Sequence, residues 1–179
     1  MSGEPPLCTV ALRADADVVA ARQRARQVAE LVGMEGQDLV RFATAVSEMA
    51  RNAVRYAGGG RIEFDVEGGA GTQAMVARIT DEGPGIPHLD TVLSGAYVSG
   101  TGMGMGIVGT RRLMDRFDIR TAPGAGTVVV MARRLPRTAP EVDARMRARV
   151  GAALARLSPV DPLEELQRQN AELVALLAE

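Results

Sequence analysis

The chain has 179 residues, enough at roughly 150 residues per domain for one domain with thirty to forty residues left over. It carries one histidine, one cysteine, no tryptophan and no lysine, which excludes an internal disulfide, a Cys/His zinc site, a lysine phosphate loop, a Schiff base and a lysine general base. Twenty-one arginines against 22 acids give a net charge of −1, with no basic excess for nucleic acid or an acidic membrane surface. No apolar run reaches the ~18 residues of a membrane span, and the opening MSGEPPLCTV lacks the basic start of a secretory signal. A cytoplasmic protein is expected.

Residues 14–33 read as a helix. Asp15 or Asp17 can cap it, Val18, Val19, Ala25, Val28, Leu31 and Val32 recur at helical spacing, and Gly33 suits its end. A second helix is predicted from Gln37 to Ala57, with Val40, Phe42, Ala43, Val46, Met49, Ala50, Ala53 and Val54 on its apolar face and three glycines after it. The period then changes to two. Ile62, Phe64 and Val66 alternate with charged residues, and residues 73–80 make a second strand, so the pair reads as a hairpin. Residues 81–106 are glycine-rich and irregular. Helical spacing returns from Ile107 to Phe117, and two last strands follow at 118–121 and 126–134. This order predicts an α+β two-layer sandwich, with helices on one face of a mostly antiparallel sheet.

Charge divides the remainder. Residues 1–135 hold 15 arginines and 15 acids; residues 136–157 hold five arginines and two acids, and residues 158–179 one arginine and five acids. A domain over 1–135 and a two-helix tail over 136–179 are therefore expected. The first tail helix carries a narrow stripe of Val142, Met146, Val150, Ala153 and Leu157. The second is capped by Asp161 and starts at Pro162. Its Leu163, Leu166, Asn170, Leu173 and Leu177 follow heptad spacing, with asparagine at a central a position. That seam suits a homodimer; the same helix folded back on the domain, or against the first tail helix, satisfies the pattern equally well.

Three clusters can carry chemistry. Glu48 and Asn52 lie four apart on one face of the second helix, where a carboxylate and a carboxamide can orient a nucleophile and ligate Mg²⁺. Asp81 ends a strand and enters Gly83-Pro84-Gly85, where glycines let the backbone approach a planar ligand and a carboxylate can accept from an exocyclic amine. Gly100-Thr101-Gly102-Met103-Gly104-Met105-Gly106 runs into a helix and leaves backbone N–H groups free for phosphate. Each alone has a plainer reading: an incidental polar pair, a glycine turn, a linker.

In this order and spacing the three resemble the N, G1 and G2 boxes of the GHKL (Bergerat-fold) ATPases. The stretches DADVVAARQRARQVAELVGM, TAVSEMARNAVRYAGGGRIEF, DEGPGIP and GIVGTRRLMDRFDIRTAPGAGT look like the RsbT-type switch kinases of the stressosome, within the branch of anti-sigma-factor serine kinases. The likeness spans about residues 8–135. It implies ATP and Mg²⁺ as cofactors. It implies Glu48 as general base, Asn52 as the Mg²⁺ ligand, Asp81 as the reader of adenine, and Gly83, Gly85 and Ile86 at the base pocket. Gly100, Thr101, Gly102, Met103, Gly104 and Gly106 would surround the triphosphate, and Arg55 would stand near it. Residues 88–99 would form a short lid with His88 on its surface. The function implied is a protein serine/threonine kinase of a bacterial partner-switching pathway that phosphorylates a STAS-domain antagonist, with a PP2C-type phosphatase or a sigma factor as further partners. An anti-sigma factor that binds its sigma factor directly is the alternative, as is a non-catalytic nucleotide-binding module of a larger signalling kinase.

Overall fold

A computed structural model describes residues 3–94, 104–157 and 162–178. Strand β1 (Cys8–Leu12) leads into helices α1 (Asp15–Leu31) and α2 (Gly36–Ala57), strands β2 (Gly60–Glu67) and β3 (Ala74–Asp81), and a short α3 (Leu89–Leu93). Helix α4 (Gly104–Leu113), strands β4 (Arg116–Thr121) and β5 (Thr127–Arg134), and helices α5 (Ala144–Arg156) and α6 (Pro162–Leu177) complete the chain. The strands form one antiparallel sheet in the order β1-β2-β3-β5-β4. The two-layer α+β sandwich is as expected.

Period two decides which face of the sheet is covered. Ile62, Phe64 and Val66 of β2, Met75, Ala77 and Ile79 of β3, and Val129 and Met131 of β5 all enter one core. Helices α1 and α2 lie on it through Val18, Ala21, Ala25 and Val28, and through Phe42, Val46, Met49 and Ala53. Phe42 and Phe64 meet edge to face with centroids 6.3 Å apart, a contact that ties the middle of α2 to the middle of β2. In the predicted hairpin Ile62 stands opposite Ile79 and Phe64 opposite Ala77.

Several expectations need correction. Neither Asp15 nor Asp17 is the N-cap of α1; that position is Ala14, and Asp17 reaches back one turn to accept the N–H groups of Arg13 at 2.7 Å and Ala14 at 3.1 Å. Strand β1 lay outside the predicted elements; it joins the sheet edge through Val10 opposite Ile62. Helix α4 starts at Gly104, inside the stretch read as irregular, and ends at Leu113, so Phe117 belongs to β4 opposite Met131. Leu39 rather than Val40 is buried at the start of α2.

The tail packs on the domain. Gln73 is buried and stitches the link to α5 onto the hairpin, donating to the Pro140 carbonyl at 3.0 Å and accepting the Val142 N–H at 2.7 Å. Asp143 caps α5 by accepting the Met146 N–H at 2.8 Å. Val150 and Leu154 are the buried residues of α5, whereas the expected stripe member Leu157 is exposed. Helix α6 lies against α1, the folded-back arrangement, with the heptad leucines outward. The expected cap Asp161 lies outside the described residues, as do Gly100, Thr101, Gly102 and Met103 of the third cluster and residues 95–99 of the expected lid. No described helix is long and apolar enough to cross a membrane.

Candidate nucleotide site

A cavity of about 320 Å³ opens between α2, the ends of β3 and β5, and α3 and α4. Its walls are mainly apolar: Met49 and Ala53 of α2, Ile79, Val92, Ile107 and Val129. Asp81 is the one carboxylate among the described lining residues. This is the composition of a ligand pocket, an apolar slot with few polar groups to fix orientation.

Asp81 is held firmly. Its Oδ1 accepts the backbone N–H of Gly83 at 3.0 Å and that of Thr127 at 3.2 Å. These two bonds fix the carboxylate plane and leave Oδ2 with no hydrogen bond among the described residues. The glycines beside it have steric causes. A Cβ on Gly83 would stand 2.4 Å from the Ala57 Cβ, so only glycine lets this loop meet the end of α2. Gly85 adopts φ +83°, and a Cβ there would stand 2.4 Å from the Ala122 carbonyl oxygen. The following N–H, that of Ile86, donates to Thr121 Oγ1 at 2.8 Å, and this hydroxyl also contacts Thr127 Oγ1 at 3.0 Å. The loop from Asp81 to Ile86 is thus pinned to the β4–β5 turn.

Asn52 lines the same cavity from α2, and its Oδ1 is buried without a hydrogen-bond partner among the described residues. A buried, unpaired amide oxygen is costly unless something binds it. An oxygen-seeking divalent cation is the fitting occupant, because hard cations take carboxamide and water oxygens. One turn earlier stands Glu48, about three-tenths exposed, whose Oε1 pairs with Arg51 Nη1 at 2.6 Å. The first turn of α4 reaches this point: a Cβ on Gly106 would lie 3.3 Å from Glu48 Oε2. Gly104 and Gly106 both sit in that first turn, where a helix leaves N–H groups unpaired and its dipole favours anions.

The structure brings Asn52, Asp81, Gly85 and Ile86 to the walls of one cavity, with Gly83 bonded to Asp81 beside it; Glu48 stands one turn of α2 before Asn52, against the first turn of α4, and is not among the described lining residues. Arg55 is exposed and is not among the described lining residues. Arg51 is the arginine that meets Glu48, a pairing hidden in the sequence because both arginines flank the same pair of polar residues. Tyr56, Thr121 and Thr127 were also missed; the threonines bracketing Pro123-Gly124 were the available signal. His88 is exposed at φ +56° before α3. Among the described residues no group of three or more His, Cys, Asp or Glu side chains could hold a metal ion.

Residues 11–133 match the histidine kinase-like ATPase domain family. The serine/threonine-protein kinase RsbT of Bacillus subtilis (strain 168) is 39% identical over 113 residues, spanning 63% of this chain and 85% of that protein. The anti-sigma F factor of Pasteuria penetrans is 32% identical over 111 residues, spanning 55% of this chain and 70% of that protein. Among solved structures, the mycobacterial sensor histidine kinase MprB aligns with 23% identity over 72% of this chain and 98% of that one, with a TM-score of 0.41. The chain belongs to the histidine kinase-like (GHKL) ATPase family, in the branch of RsbT-type serine/threonine-protein kinases.

Proposed function

We propose that this protein is a cytoplasmic, ATP- and Mg²⁺-dependent protein serine/threonine kinase of a bacterial partner-switching pathway, with a STAS-domain antagonist as its substrate and a PP2C-type phosphatase as the opposing enzyme. The observation that carries the reading is that Asn52 lines an apolar cavity that holds Asp81, with Glu48 one turn before it on α2 and facing the first turn of α4.

The chemistry follows from these positions. The apolar walls take the purine, and Asp81 accepts its exocyclic amino group through Oδ2. The unpaired Oδ1 of Asn52 supports a Mg²⁺ ligand role, and Mg²⁺ when bound neutralises charge on the phosphates. The first turn of α4 presents N–H groups to phosphate oxygens. Glu48 is the general base: its carboxylate takes the proton of a substrate serine hydroxyl, the serine oxygen forms a bond to the terminal phosphorus, and ADP leaves with the electron pair of the broken P–O bond. Arg51 holds the carboxylate in place.

The likeness to an anti-sigma F factor supports a second reading, in which the chain also binds a sigma factor directly. The test is incubation with γ-labelled ATP, Mg²⁺ and a purified STAS-domain protein of the same organism, followed by phosphopeptide mapping. Label on a serine or threonine of the partner, lost on chelation of Mg²⁺, is expected. Tight nucleotide binding with no phosphoprotein formed would overturn the kinase reading, and recovery of a sigma factor in a stable complex would favour the second.

A further inference from the structure

Helix α6 is docked by its polar side. Glu165, only 2% exposed, faces Arg22 of α1 with Oε1 3.4 Å from Nε. Glu172, two turns on, accepts from Arg22 Nη2 at 2.7 Å and also pairs with Arg26. Arg22 is itself buried, and its Nη1 donates to Thr44 of α2 at 3.2 Å. The opposite side of α6 is left to solvent. Leu163, Leu166, Leu173 and Leu177 are 59%, 53%, 50% and 88% exposed, and six of the eight exposed large hydrophobic residues among those described lie on this one helix. Such a concentration of apolar surface on a short helix marks an interaction face.

We propose that this face pairs with α6 of a second copy of the chain as a parallel two-stranded coiled coil, with Leu163, Asn170 and Leu177 at the a positions and Leu166 and Leu173 at d. Three observations select this occupant. First, Glu165 and Glu172 fall at c positions, which point away from an a/d seam. Each copy's own domain, clasped at those glutamates, then sits on the outside of the pair. Second, the flanking e and g positions are uncharged: Gln167, Gln169, Val174 and Leu176. The acids that would make identical helices repel are held at the c positions by Arg22 and Arg26 of the same chain. Third, Asn170 stands exposed in the middle of the seam. In a parallel pair it meets its own counterpart and both amides are satisfied, whereas a shifted register or a purely apolar partner leaves it unpaired. Little more than two heptads are marginal as a free helix. Here α6 is already held on α1 by the buried ion pairs, so part of the ordering cost is met before association.

Sedimentation of the full chain tests this. At micromolar concentrations the wild type is expected to sediment at twice the 18.9 kDa of one chain. The double variant L166D/L173D, at two exposed positions, is expected to sediment as a monomer with an unchanged circular dichroism spectrum. Asn170→Leu should still associate but lose its restriction to two chains. In a Cys8→Ser background, Leu177→Cys, at the last a position, should oxidise to a disulfide-linked dimer, because only parallel, in-register pairing brings the two copies of position 177 together. A monomeric wild type, a dimer that survives L166D/L173D, or a seam that is filled only by a different protein would each overturn the proposal, and failure of the position-177 cross-link in a confirmed dimer would overturn its parallel form.

Discussion

Replacing Asp81 by asparagine isolates one atom of the nucleotide site. In Asp81→Asn the new amide oxygen can keep both backbone bonds that Asp81 Oδ1 makes, from Gly83 at 3.0 Å and Thr127 at 3.2 Å. Fold and pocket shape should therefore survive. The group that changes is the other one: where Oδ2 accepts, an NH₂ donates. An adenine amino group then faces a donor and loses a hydrogen bond to a charged acceptor, a contribution of about 1.5–3 kcal/mol. Conversion at 1.4 kcal/mol per decade gives a rise in the ATP Kd of roughly 10- to 150-fold. A 6-oxo purine presents an acceptor at the same place, so the variant should narrow or reverse the preference for ATP over GTP. Isothermal titration of wild type and Asp81→Asn with both nucleotides reads the effect, with thermal melting as the control for folding. Unchanged ATP affinity in a well-folded variant would refute the assignment of Asp81 to the base.

The loop that carries this residue should be intolerant of a single methyl group at Gly85. With φ at +83° and a backbone oxygen 2.4 Å from the new Cβ, Gly85→Ala is expected to destabilise the fold by about 1–3 kcal/mol, a fall of about 2–4 °C in Tm per kcal/mol. Gly109→Ala in α4, with nothing within 4 Å of the added Cβ, should leave Tm unchanged or raise it, and equal losses from both variants would contradict the steric argument. Burial raises the Cys8 thiol pKa, more than the nearby Arg24 lowers it. Iodoacetamide should therefore label the folded chain more slowly than the urea-unfolded chain at mildly alkaline pH. Because the folded pKa lies above the unfolded one, the thiol's contribution to stability is complete below the unfolded value and is lost as pH rises through the folded value; Cys8→Ser should remove that part of the pH dependence.

Elements with a long, clean period were legible from residues alone. Helix α2 and the β2–β3 hairpin fall within a residue or so of their expected bounds, because a 22-residue amphipathic pattern and two alternating octapeptides admit few other solutions. Strand β1 was harder. Five residues offer only Cys8, Val10 and Leu12 as an alternating set, and what makes them a strand is the free edge of β2. Phe117 continues a helical spacing from Ile107, but the pairing of β4 with β5 outweighs it. In the site, type and spacing picked out Glu48, Asn52 and Asp81 as candidates, while their roles come from the resemblance, because each cluster alone fits a plainer reading. The pairing of Arg51 with Glu48 depends on side-chain reach, which spacing does not encode. The heptad of α6 was visible as well, yet its docking depends on Arg22 of α1, whose burial against two glutamates of the tail no spacing on α1 encodes.

The central claim is that Glu48 moves a proton in a phosphoryl transfer and does not serve nucleotide binding. Glu48→Gln removes the base and keeps the size and polarity of the side chain. Single-turnover transfer from labelled ATP to the partner's serine, measured beside ATP affinity, separates the two roles. Wild-type ATP affinity with transfer slowed by about 10²–10⁴-fold is the expected result; transfer at the wild-type rate, or a loss explained wholly by weaker ATP binding, would contradict it.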